Sequence, residues 1–108
     1  MTKRGWPGMP QVSVGMPVYN GGRLIERALR SLLRQTFTDF ELILSDNAST
    51  DGTSEICQRF ASQDPRIRYI RQSANVGAGR NFMYVLDQAR APYFMWAAHD
   101  DYWEPEYL

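Results

Sequence analysis

Short apolar, β-prone runs alternate with amphipathic helical runs along almost the whole of this chain, and few folds accept that order. Gln11 to Met16 is β-prone and is ended by Pro17. From Arg23 to Arg34, Leu24, Ile25, Ala28, Leu29, Leu32 and Leu33 repeat at helical spacing, with arginines and Glu26 on the other face. Phe40 to Leu44 reads as a second strand, followed by the polar turn Ser45 to Thr53, in which Asp51 or Thr53 caps the next helix. That helix carries the stripe Ile56, Cys57, Phe60 and Ala61, and Pro65 closes it. Ile67 to Arg71 is a third strand. A glycine-bearing turn, Asn75 to Gly79, then precedes a third helix with Phe82, Val85, Leu86 and Ala89 in register. Pro92 leads into Tyr93 to Ala98, a fully apolar run that reads as a buried strand.

Strands joined through helices by short connections predict an α/β fold: a Rossmann-like, mostly parallel sheet with helices on both faces. At 108 residues there is room for one domain. Residues 1–10, with two glycines and two prolines, read as a flexible arm, and residues 11–108 as the α/β domain. Formal net charge is zero, which excludes a bulk field for nucleic acid. The lone Cys57 rules out an intrachain disulfide framework and reads as a buried structural thiol of a reducing compartment. Lys3-Arg4 is followed by Gly5-Trp6-Pro7-Gly8 rather than by an apolar stretch, so the expected location is cytoplasmic.

In open parallel sheets, ligands bind outside the carboxyl ends of the strands. The residues that follow the apolar runs are therefore the candidates. Asp100 and Asp101 come directly after the last run, and two adjacent carboxylates repel unless a cation or hydrogen bonds offset them. A hard cation, Mg²⁺ or Mn²⁺, bridging the pair to a diphosphate answers that repulsion. His99 is open among a ligand-facing donor, a metal ligand and a strand-end histidine satisfied by backbone, although with no second His or Cys beside it zinc is disfavoured. Tyr19, in Pro17-Val18-Tyr19-Asn20-Gly21-Gly22, is either a turn residue on the sheet edge or an aromatic plate for a planar base. Asp46 is either an Asx-turn residue or an acceptor for a base N–H or ribose hydroxyl. Arg80 is either a solvated helical residue or a guanidinium facing phosphate. Trp96, Tyr102 and Trp103 read as core and rim packing.

Taken in order, these motifs resemble an inverting family-2 glycosyltransferase of the GT-A nucleotide-sugar fold, from about Val12 to Leu108. Val12 to Asn20 is similar to the family's opening strand and base-binding turn, and Ser31 to Phe37 with Phe40 to Leu44 to its first helix and second strand. Ser45 to Thr53 resembles the Asp-rich second turn, and Asn75-x-Gly77 with Arg80-Asn81 the third signature. His99-Asp100-Asp101 stands where the metal-binding acidic motif belongs. The resemblance implies that Tyr19 stacks on the nucleobase with Pro17 beside it, that Asp46 accepts from a base N–H, and that Arg80 faces the diphosphate. It further implies that Asp100 binds the cation, with Asp101 supporting it. The implied partners are a nucleoside-diphosphate sugar, UDP-linked by preference, and an unidentified glycan, lipid or small-molecule acceptor.

The chain departs from that pattern at three points. His99 and Ala98 stand where the family has a further Asp, so the ribose contact falls to His99. The spacing from Asn75 to Arg80 is short for the third signature. The family's general base is expected beyond Leu108, so the chain is expected to hold a donor without completing a transfer. Two other readings stay open: a sugar nucleotidyltransferase, which wants a glycine-rich basic loop where Pro17 to Asn20 stands, and a non-catalytic nucleotide-binding or assembly module. A half-domain with a bare sheet edge is also expected to self-associate, and the complete protein to sit peripherally at a membrane.

Overall fold

The computed structural model describes residues 9–108, so all but the last two residues of the expected arm (1–10) lie outside the described residues. Seven elements follow in sequence: β1 (Val12–Val18), α1 (Leu24–Leu33), β2 (Phe40–Asp46), α2 (Thr53–Gln63), β3 (Ile67–Arg71), α3 (Ala78–Gln88) and β4 (Tyr93–Trp96). The strands form one parallel sheet in the order β3-β2-β1-β4. Val12 lies opposite Phe40 on one side and Tyr93 on the other.

Strand alternation divides the side chains between the two faces of the sheet. Val14, Met16 and Val18 of β1, with Leu42 and Leu44 of β2, join Ile25, Leu29 and Leu32 of α1 and Cys57 and Phe60 of α2 in the main core. Burying each such Leu or Ile side chain stabilises the fold by roughly 1.5–3 kcal/mol. Burial, reinforced by the charge of Asp46, pushes the Cys57 thiol up to about 12, which makes it an inert packing group.

The opposite face of the sheet carries Ser13, Gly15, Glu41 and Ser45, and α3 lies over it. At Gly15 the approach is so close that a Cβ would fall 2.3 Å from Val85 Cγ1 and 2.7 Å from Phe94 Cζ. Glu41 is buried here and accepts hydrogen bonds from the Ser13 hydroxyl, the Arg90 N–H and the Arg68 and Arg90 guanidiniums. Burial works to raise the Glu41 pKa, yet these donors outweigh it and hold the carboxyl below its ordinary range.

Some boundaries differ from the expected ones. β1 continues through Pro17 to Val18, and the reason lies in the ladder. The Gly15 carbonyl accepts from the Ala97 N–H, whereas the Val18 carbonyl accepts from the Asn47 N–H, so odd residues of β1 address β4. Pairing with β4 stops at Gly15, so the missing N–H of Pro17 costs no ladder bond. β2 likewise runs on to Asp46. β4 ends at Trp96 and is not the buried strand expected from its composition: it is an edge strand, with Tyr93 63% and Trp96 42% exposed. Neither Asp51 nor Thr53 is the cap of α2: Gly52 holds the N-cap position at φ 95° with no side-chain cap, and Asp51 Oδ1 instead accepts from the N–H and the hydroxyl of Thr53, the first helical residue.

The sheet changes direction between β1 and β4. Two strands are added on one side of β1 before the chain crosses to the other, and α3 takes the face opposite α1 and α2. A crevice outside the carboxyl ends of β1 and β4 follows from that reversal.

Candidate functional site

A cleft of about 540 Å³ occupies that crevice. It receives Pro17 and Tyr19 from the end of β1, His99, Asp100 and Asp101 from the residues after β4, and the first turns of α3 along one wall. The turns that frame it brace one another. The Asn20 N–H donates to Ser49 Oγ (2.9 Å), the Thr50 N–H donates to Asn20 Oδ1 (2.8 Å), and the Gly22 N–H donates to Asp51 Oδ2 (3.1 Å). Asn20 adopts a positive φ of 50°, a conformation that asparagine tolerates, and the turn leaves the Tyr19 ring 45% exposed at the cleft.

Asp100 and Asp101 are exposed, and among the described residues no group donates to either carboxylate. Among the described residues there is no cluster of three or more His, Cys, Asp or Glu side chains that would cage a metal by itself. A pair of free carboxylates nevertheless suits Mg²⁺ or Mn²⁺, hard cations that take one or two protein carboxylates and complete their shell with phosphate and water. The two side chains therefore fit such an ion in their donor chemistry. His99 is half-buried in the same wall, packed where Gly21 leaves space: a Cβ at Gly21 would lie 3.2 Å from His99 Cδ2.

Two expected site residues are not brought to the cleft. Asp46 is wholly buried at the end of β2, on the α2 side of the sheet. Its Oδ1 accepts from the Ser49 N–H (2.9 Å), and its Oδ2 accepts from the Ser54 hydroxyl and from the Tyr69 hydroxyl (2.9 Å). Burial acts to raise its pKa, but these hydrogen bonds prevail and hold the carboxyl below its ordinary range. Burial and the neighbouring charge in turn push the Tyr69 hydroxyl up to about 12. Asp46 thus shapes the second turn from inside. Arg80 sits exposed on the first turn of α3, outside the lining of the cleft.

Sequence reasoning passed over the amides. Asn47 follows Asp46 on the alternate side of the chain and lines the cleft with Asn75. The Asn47 Nδ2 donates to Asn75 Oδ1 (3.0 Å), while Asn47 Oδ1 accepts from the Val76 N–H (2.8 Å). Asn75 Oδ1 also accepts from the Gly77 N–H, fixing the turn in which Gly77 takes φ 93°. Asn81 donates to the Ser45 carbonyl and accepts from its hydroxyl, which seats α3 against β2. Trp96 and Phe82 also line the cleft, packed edge to face at 4.9 Å between centroids, so Trp96 is a site-wall residue rather than core. Trp103 is core, as expected, at 8% exposed. Alternation along a β2 extended by two residues would have turned Asp46 inward and Asn47 to the cleft; the polar sequence Ser45-Asp46 hid that extension.

A ring-bearing ligand with an anionic end suits this arrangement: an exposed tyrosine ring, neutral amides and two carboxylates without a donor among the described residues share one cleft. The family model described as glycosyl transferase family 2 matches residues 13–108. The chain is 34% identical over 90 residues to the glycosyltransferase GlyG of Streptococcus pneumoniae, covering 83% of this chain and 30% of that protein. It is 36% identical over 94 residues to the GalNAc(5)-diNAcBac-PP-undecaprenol beta-1,3-glucosyltransferase of Campylobacter jejuni, covering 86% of this chain and 30% of that enzyme. Among solved structures, S. aureus TarS 1–349 in complex with UDP superposes with a TM-score of 0.81 at 29% identity, over 89% of this chain and 29% of that one. The mannosyltransferase PcManGT from Pyrobaculum calidifontis, in complex with GDP-Man and Mn²⁺, gives 0.79 at 27% identity, over 90% of this chain and 29% of that one. The chain spans less than a third of the length of each of these four proteins.

Proposed function

The chain belongs to glycosyl transferase family 2, and from that premise we propose that its cleft holds the nucleotide of a nucleoside-diphosphate sugar, UDP-linked by preference. Tyr19 stacks on the base beside Pro17, and the Asn47 and Asn75 amides address the base edge in place of Asp46. His99 takes the ribose hydroxyl contact. Asp100 and Asp101 hold Mg²⁺ or Mn²⁺ facing the diphosphate, and Asp100 is the principal ligand. That cation supplies charge neutralisation to the departing diphosphate. In the complete enzyme the sugar passes with inversion to an acceptor hydroxyl, and we assign the deprotonation of that hydroxyl to no residue of this chain.

The observation that carries the proposal is the Asp100-Asp101 pair, without a donor among the described residues, in the same cleft as an exposed tyrosine ring. Related proteins solved with UDP and with GDP-Man and Mn²⁺ support the ligand class. Isothermal titration of the chain with UDP, with and without Mn²⁺, tests it. Binding that strengthens with Mn²⁺ and exceeds that of GDP is the expected result. An absence of heat under both conditions would sink the nucleotide reading.

A further inference from the structure

Arg27, Ser31 and Gln35 stand four residues apart along α1 and just past its end, so they form a single stripe on one side of the helix. Every member of the stripe grips the main chain of residues 100–108. Arg27 Nη2 donates to the Asp100 carbonyl at 3.5 Å, and its guanidinium lies 5.7 Å from the centre of the Tyr102 ring. Ser31 Oγ accepts from the Trp103 N–H at 3.2 Å. Gln35 Nε2 donates to the Glu104 carbonyl at 2.6 Å, and its Oε1 accepts from the Leu108 N–H at 2.8 Å. Ser31 and Gln35 are 1% and 3% exposed and form a buried polar seam, with Arg27 exposed at its end nearest Asp100.

The segment it grips has neither helix nor strand after β4. Its course is fixed by its contacts, chiefly this seam and the packing of Trp103 in the core. Adjacent carboxylates in such a segment repel, and the repulsion drives them apart unless the backbone is held. Mg²⁺-type coordination tolerates little deviation from octahedral geometry, and outer contacts that orient metal ligands are worth roughly 10–100-fold in affinity.

We propose that Ser31 and Gln35, assisted by Arg27, are positioning residues that fix the backbone presenting Asp100 and Asp101 to a divalent cation. The inference rests on the reading above that this pair takes Mg²⁺ or Mn²⁺. A merely structural seam would affect stability alone, so the deciding measurement is the ratio of UDP affinity in Mn²⁺ to that in EDTA, read by calorimetry on the full chain. Backbone amide exchange at Trp103 gives a ligand-free readout beside it. Ser31→Ala and Gln35→Met are expected to lower the Mn²⁺ ratio about tenfold, leave metal-free affinity unchanged and speed exchange at Trp103. Ser31→Thr, which keeps the hydroxyl, is expected to restore both. Arg27→Met, at an exposed position, gives a smaller loss of the ratio and keeps the test open should a buried variant unfold. Variants that retain the full Mn²⁺ ratio, or lose affinity equally in Mn²⁺ and EDTA, overturn the inference and leave the metal reading intact. An unsubstituted chain with no Mn²⁺ effect at all overturns both.

Discussion

Asp46 ends β2 and Asp100 follows β4, on either side of β1, and their surroundings give these two residues of one type opposite tasks. Asp46 spends its oxygens on Ser49, Ser54 and Tyr69 with no access to solvent, whereas Asp100 is exposed and its carboxylate has no donor among the described residues. Asp100→Asn is therefore expected to abolish the Mn²⁺ dependence of UDP binding while the thermal midpoint moves by no more than about 3 °C. Asp46→Asn is expected to do the reverse. Urea unfolding should show a loss of about 3 kcal/mol, because buried donors lose their charged acceptor. The pH dependence has a fixed sign. A carboxyl held below its unfolded value of 3.8 contributes its full stability above that pH and loses it as pH falls through the folded value. The acid limb of a stability-against-pH curve should accordingly be shallower in Asp46→Asn than in the parent chain.

At the scale of elements, the outcome depended on how each strand ends. The sequence pattern located β3 to the residue because Ile67 to Arg71 is bounded by the break at Pro65 and by the polar stretch after it. It shortened β1 and β2 because Pro17, Ser45 and Asp46 are turn formers in isolation, while ladder geometry tolerates them where pairing has ended or where buried donors wait. It made β4 a buried strand because composition reports apolar character and not position in the sheet. The Glu41 knot was equally invisible, since its partners Ser13, Arg68 and Arg90 are scattered across two other strands and a loop. That knot ties β1, β2 and β3 to the chain leaving α3 at the end of the sheet remote from the cleft. Glu41→Gln is expected to destabilise by about 3 kcal/mol in urea titrations, since two guanidiniums lose their shared counter-charge, and to leave nucleotide affinity unaltered once folded.

For the whole molecule, β3 and β4 are the edge strands of the sheet among the described residues. The β4 edge carries exposed Tyr93 and Trp96, with exposed Phe82 packed against Trp96, a combination that favours pairing between copies. Sedimentation velocity is expected to show concentration-dependent association, reduced by Tyr93→Lys, which places a charge on the edge. An unchanged sedimentation coefficient over a wide concentration range would remove this expectation.

The absent side chain at Gly15 bears on the same cleft from below. The helix resting on it is α3, whose opening turns supply Ala78, Asn81 and Phe82 to the cleft wall. With Val85 already within 2.3 Å of where a methyl group would stand, the helix can be no lower and the wall no closer. Gly15 is a shim of zero thickness. A single added carbon there would act as a wedge, widening the cleft from the buried side without altering any residue that lines it.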